Sequence, residues 1–288
     1  MDTEMIEETL PTLDEPGDVP GYENWLRVGG IKLFADGTPT GGTAWNSVPD
    51  NLGRYGTMER VAGNTNEEKV AELRDILTAI HEAGYQMGIH ACGDMTNQTI
   101  IEIYADLLAE ENNPLDLRHF LVHADFVNPG FEDVMAQAGI SVSANPSILS
   151  LIGDQMAVLF NATRAGEQWP LDRLWDAGVN VTNGSDGPVT PIDWRLGVQG
   201  SVLREGISGT VYGAHNKVSV EKAIMAYTIN SAKLLKEEDI KGFIKAGKLA
   251  DFVILGEDIF KINPSTIIDI PIVMTIVDGE VVYALGRE

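Results

Sequence analysis

Cysteine occurs once in the 288 residues, at Cys92, so no internal disulfide can form and a reducing cytoplasm is the expected compartment. Cations are scarce as well. Lys and Arg total 20 against 43 Asp and Glu, a net charge of -23, and the few basic residues are scattered rather than clustered. Phosphate backbones and anionic lipid surfaces are held through Lys/Arg clusters, so neither nucleic acid nor a membrane surface is expected as a partner. No apolar run reaches the ~18 residues needed to cross a bilayer. The first 24 residues are acidic and proline-rich, the opposite of a secretory signal. There is no internal repeat, no Gly-x-Ser-x-Gly elbow and no His-Glu-x-x-His helix. Gly242 to Lys248 resembles a phosphate-binding loop, but Leu249 stands where Ser or Thr is required and no strand precedes it.

Hydrophobic residues make up 44% of the chain, enough for a sizeable core. The apolar stretch from Val28 to Ala35 reads as a buried strand interrupted by Lys32 and ending in the turn Asp36-Gly37-Thr38-Pro39. Residues 67–83 carry Val70, Leu73, Ile76, Leu77 and Ile80 on one helical stripe that stops at Gly84, and 86–90 follows as a strand. The pattern repeats: helix 95–110, strand 119–123, helix 130–138, strand 140–144, helix 171–177, strand 179–184. Strands alternating with helices imply parallel pairing through right-handed crossovers, hence an α/β sheet or barrel. Beyond residue 190 the spacing predicts helices over 192–205 and 219–235, a strand over 251–256, and a hairpin over 272–284 turning at Asp278-Gly279.

Polar groups that interrupt buried strands, or sit at their ends, are the candidates for chemistry, because an unpaired buried charge costs several kcal/mol. Lys32 lies inside its strand, while His90, His123 and Asp186 lie at or just past the ends of theirs, which is the catalytic face of a βα barrel. His119 and His123, four apart on a strand, are expected to face one side. Taken singly, each histidine is more often a hydrogen-bonded core or surface residue than a ligand, and Asp186 before Gly187 more often just makes a turn. Asp94 and Asp125 read as helix caps or as supports for the neighbouring histidines, and Cys92 as a small buried residue.

The ordered set Gly30-Ile-Lys32-Leu-Phe-Ala-Asp36-Gly37, Ile89-His90-Ala-Cys-Gly-Asp94, Arg118-His119-Phe-Leu-Val-His123-Ala124 and Gly184-Ser-Asp186-Gly-Pro188 resembles the amidohydrolase superfamily, and within it the YtcJ-like metal-dependent hydrolases that include N-substituted formamide deformylases. The ending Lys245-Ala-Gly-Lys-Leu-Ala-Asp-Phe-Val-Ile-Leu255 with 275–283 resembles that family's returning β-sandwich segment. The resemblance implies a (β/α)8 barrel with one or two divalent ions at the strand ends, zinc first, manganese or iron otherwise. It implies that Lys32 takes up carbon dioxide as a bridging carbamate, that His90 and His123 are metal ligands, and that Asp186 is the acid/base.

The family opens its barrel with a His-x-His pair on strand one, and this chain contains no His-x-His. The expected architecture is therefore a partial TIM-like barrel of about strands 4–8, with an acidic leader at 1–24, the barrel portion at 25–240 and a C-terminal β-sandwich segment at 241–288. The expected function is hydrolysis of a non-peptide C–N amide bond in a small molecule by metal-activated water, the chain being a C-terminal portion of a longer enzyme. The alternative is a non-catalytic half-barrel, a scaffold or a subunit needing a separate N-terminal piece. Unpaired barrel edges invite self-association or pairing with such a segment.

Overall fold

Parallel strands connected by helices dominate the computed structural model, which describes residues 1–23, 25–109 and 113–287. A short helix α1 (Thr3–Thr9) and a two-residue ribbon, β1 (Gly17–Asp18) against β2 (Arg27–Val28), precede β3 (Gly30–Phe34). There follow α2 (Asn66–Glu82), β4 (Gln86–Ala91), α3 (Asp94–Leu107), β5 (Phe120–His123), α4 (Phe131–Ala138) and β6 (Ser141–Ala144). The helices α5 (Pro146–Leu159), α6 (Ala162–Gly166) and α7 (Leu171–Ala177) lead to β7 (Val181–Asn183). Strands β3 to β7 form one parallel sheet in sequence order, as expected of a partial barrel.

The α2 helix shows why these segments fold as they do. Thr65 caps it by accepting from the Glu68 N–H while the Glu68 carboxylate accepts from the Thr65 N–H, and Leu73, Ile76, Leu77 and Ile80 bury its inner stripe. Gly84, at φ 83°, ends it in a conformation that side chains resist. Ile31 is partly buried and Leu33 and Ala35 are buried toward the helical layer, so Gly30, Lys32 and Phe34 point to the other, open face.

Several expectations need correction. Helix α1 forms within the acidic leader and buries Ile6 against α2. Helices α5 and α6 were not expected. The stretch 219–235 is two helices, α9 (Val220–Tyr227) and α10 (Ile229–Leu234), following α8 (Trp194–Leu203); the break is at Thr228, whose ψ of -97° lies outside the helical range. Helix α3 ends at Leu107, short of the expected range 95–110, whose last residue lies outside the described residues. The C-terminal strands β8 (Phe252–Leu255), β9 (Ile272–Val277) and β10 (Glu280–Ala284), where a sandwich segment is expected, form an antiparallel sheet in the order β10-β9-β8. No helix of the described residues is long and apolar enough to cross a membrane.

His119 belongs to the helical side, not to the open face. It is fully buried against Tyr104, its Nδ1 accepts the Met87 N–H at 3.1 Å, and its Nε2 therefore donates to Nδ1 of His81 at 2.9 Å. Burial pushes its pKa down to about 3. The unfolded chain, with His near 6.5, binds a proton there that the folded chain refuses. This contribution to stability is whole above pH 6.5 and is lost below it at about 1.4 kcal/mol per pH unit, until about pH 3. Urea unfolding at pH 7 and 5 is expected to show His119→Gln losing about 2 kcal/mol less than wild type over that interval. An equal loss in both proteins would contradict this.

Candidate metal centre

The open face of the sheet carries the candidate residues in rows set by register. Lys32 pairs with Gly88 and Phe34 with His90, so Lys32, Phe34 and His90 share that face. Gly88 is small because a Cβ there would lie 2.4 Å from the Phe120 ring, which occupies the space beside it. The Lys32 Nζ sits 4.2 Å from the Phe34 ring centroid, and the Phe34 and His90 centroids are 5.0 Å apart. Lys32 is exposed as a residue, yet partial desolvation of its amine lowers its pKa, opposed by the negative charge of Asp186.

His123 reaches the same place by a different route. It pairs with Ala91 rather than with His90, and strand parity would set it with the buried Leu121 on the helical side. Its φ of 75°, followed by 52° at Ala124, breaks that parity at the strand end, and its ring lies 4.4 Å from that of His90. Left-handed backbone at two consecutive non-glycine residues is costly and is typical of functional positions. His119 and His123 thus do not share a side.

Hydrogen bonds fix which ring nitrogens are available. His90 Nε2 donates to the Gly37 carbonyl at 3.0 Å, which leaves the lone pair on Nδ1, a buried atom with no partner among the described residues. His123 Nδ1 donates to Oδ1 of the buried Asn145 at 2.8 Å, while the Asn145 amide donates to the Gly184 carbonyl, so the lone pair of His123 is on Nε2. Burial lowers the pKa of both rings, that of His123 to about 3, with the neighbouring His90 and the Lys32 charge adding to the shift. Two neutral imidazoles holding free lone pairs in the interior are the donors that a divalent metal requires.

Asp186 is placed less tightly. It is exposed at φ 53° in a turn closed by the Val189 N–H donating to its own carbonyl at 2.8 Å, which is the ordinary role of such an Asp. Its carboxylate nevertheless acts electrostatically on Lys32, His90 and Cys92.

Two functional positions were missed from the sequence. Asp36, read as a turn residue, is buried two residues past the end of β3 and accepts from the backbone N–H groups of Trp45, Cys92 and Gly93 and from the Thr96 hydroxyl. Burial pushes its pKa up to about 6 against the pull of these bonds. Asn145 follows the last residue of β6, so the strand-end rule that selected His90 and His123 also points to it. Asp125, expected as a cap or as a support for His123, is buried with Gln168 donating to it at 3.2 Å, and burial pushes its pKa up to about 8. Asp94 binds Ser47 and Arg164 instead of capping a helix from outside. A cavity of about 810 Å³ is lined by Phe126, Asp94, Arg164 and Arg173 but by none of Lys32, His90, His123 or Asp186.

The amidohydrolase family profile matches residues 3–283. The chain belongs to the amidohydrolase family. Within it, this amidohydrolase is similar to YtcJ of Bacillus subtilis, at 27% identity over 90% of this chain and 48% of YtcJ. It is also similar to an N-substituted formamide deformylase of Arthrobacter pascens, at 27% identity over 90% of this chain and 46% of that protein. Its fold matches an uncharacterized metal-dependent hydrolase of Pyrococcus horikoshii with a TM-score of 0.73 at 21% identity, covering 91% of this chain and 50% of that one. The chain spans about half the length of these relatives. In this amidohydrolase the unpartnered His90 Nδ1 and the oriented His123 are donors of the kind a divalent ion takes, and the buried trio Asp36, His90 and Cys92 stands beside them.

Proposed function

We propose that this chain carries the metal-binding portion of a hydrolase that cleaves a non-peptide C–N bond in a small amide, with Lys32, His90 and His123 as ligands and Asp186 as the proton carrier. The observation that carries the reading is the pair of free imidazole lone pairs, on His90 Nδ1 and His123 Nε2, within the electrostatic reach of the Lys32 amine, whose own pKa is lowered. A divalent ion, zinc first and manganese or iron otherwise, supplies polarisation of the scissile carbonyl and a water nucleophile at neutral pH.

The chain's own residues do the rest. The lowered pKa of Lys32 raises the fraction of neutral amine, which adds to carbon dioxide; an N–C bond forms, the amine proton goes to solvent, and the lysine becomes an anionic carbamate ligand. Asn145 and the Gly37 carbonyl hold the two imidazoles in the tautomers that offer lone pairs. Asp186 takes the proton of the attacking water and passes it to the leaving nitrogen. The name of the Arthrobacter relative supports an N-substituted formamide or a similar small amide as substrate. The single cysteine supports a cytoplasmic setting.

A second reading, a half-barrel that is completed by another segment or copy before it works, is favoured by the open sheet. Strands β3 and β7 each pair on one side only among the described residues, and Phe34 is 47% exposed beside Lys32. Reconstitution with zinc or manganese followed by gel filtration and a formamide hydrolysis assay separates the readings. The first expects retained metal with turnover by the chain, and the second retained metal, self-association and no turnover. Failure to retain either metal would end both as metal-dependent accounts.

A further inference from the structure

His90 has a second nitrogen, and it faces a second set of donors. Its Nε2 lies 3.4 Å from Cys92 Sγ, 3.7 Å from Asp36 Oδ1 and 3.0 Å from the Gly37 carbonyl. One ligand atom from each of Asp36, His90 and Cys92 falls within 4.8 Å of the others, and all three residues are buried. A tetrahedral ion with bonds of about 2.0–2.3 Å to N, O and S keeps its ligand atoms roughly 3.3–3.6 Å apart. The separation from His90 Nε2 to sulfur is already of that size, and that to the carboxylate is slightly longer.

The carboxylate is held in place for the task. Asp36 Oδ2 is occupied by the Trp45 and Gly93 N–H groups and the Thr96 hydroxyl, whereas Oδ1 accepts, among the described residues, only the Cys92 N–H and keeps a lone pair. The same Cys92 N–H bond ties the backbone of the sulfur ligand to the carboxylate. An N, O and S set of this kind selects a borderline or soft cation over magnesium or calcium. We propose that Asp36, His90 and Cys92 form a second cation site, for a thiophilic divalent ion of the zinc or cadmium class, using His90 Nε2 while the first site uses Nδ1.

Filling this site changes His90. The cation takes Cys92 as thiolate, the thiol proton leaves to bulk water, and the imidazole proton moves from Nε2 to Nδ1. The nitrogen offered to the first site is then protonated, so the two positions compete for one imidazole, and thiophilic metal acts as an inhibitor. That consequence rests on the reading of His90 and His123 proposed above; the site itself does not.

Cadmium added to the purified full chain tests it, through the ultraviolet charge-transfer absorption of a cadmium–thiolate bond. Cys92 is the chain's one cysteine, so the band has a single source. Wild type is expected to show a saturable band at one cadmium per chain, Cys92→Ser and Cys92→Ala none, and His123→Ala an undiminished one. Asp36→Asn is expected to weaken cadmium binding at least ~10-fold. Should Asp36→Asn fail to fold by circular dichroism, the cadmium-113 resonance of wild type reads the same ligand set, one sulfur with nitrogen and oxygen. No band in wild type, an unchanged affinity in folded Asp36→Asn, or a resonance without sulfur would overturn the proposal. A cadmium band with no metal held through His123 would sink the reading of the first site alone, and the converse pattern would sink this one alone.

Discussion

His90→Ala and His123→Ala are each expected to strip the reconstituted protein of most of its catalytic-type metal, zinc or manganese, measured by elemental analysis after dialysis. Each variant deletes a neutral nitrogen donor that the surrounding hydrogen bonds hold in the metal-binding tautomer. Removing only a partner that orients a ligand costs about 10–100-fold in metal affinity, and removing the ligand costs at least that. The informative control is four residues away. His119→Ala removes another buried histidine, one bonded to His81 and Met87 on the helical side, and is expected to lose stability while keeping metal. If His123→Ala held as much metal as wild type in the same dialysis, the proposed ligand set would be wrong.

Asp186→Asn is expected to lower turnover of an N-substituted formamide by about 10²–10⁴, the range for loss of a general acid–base group, while metal content stays at the wild-type level. The substitution is clean on structural grounds. The turn is closed by the backbone of Asp186 and Val189, which Asn retains, and Asn accepts the positive φ of 53° as readily as Asp. The side chain is exposed, so no core contact is lost. What disappears is the negative charge that acts on Lys32 and His90 and the ability to carry a proton. Activity within a few-fold of wild type, with the metal present, would remove Asp186 from the mechanism.

The parallel sheet was legible because its helices carry clear periodicity and stops: the stripe of α2 ends at Gly84, and α4 and α7 end at Gly139 and Gly178, both left-handed. Helix α5 was not legible. It starts with Pro146 one residue after a strand, and its apolar residues run from Ile148 to Met156 without a polar face long enough to mark a period. The split at Thr228 is a backbone event that side-chain patterning does not encode. At the site, His90 was readable as a polar residue at a buried strand end. His123 was readable too, but not its direction, because two consecutive positive φ angles override the alternation on which the sequence argument relied. Asp36 was hidden by its neighbour: Asp-Gly reads as a turn, and the four donors that make it a buried anchor come from residues 9 to 60 positions away.

Anomalous diffraction from crystals of the zinc-loaded protein tests the central claim most directly. The account expects a zinc peak at about 2 Å from both His90 Nδ1 and His123 Nε2, with density for a carbamate on Lys32 completing the set. A zinc peak that contacts neither of those two nitrogens, at full metal occupancy, would contradict it.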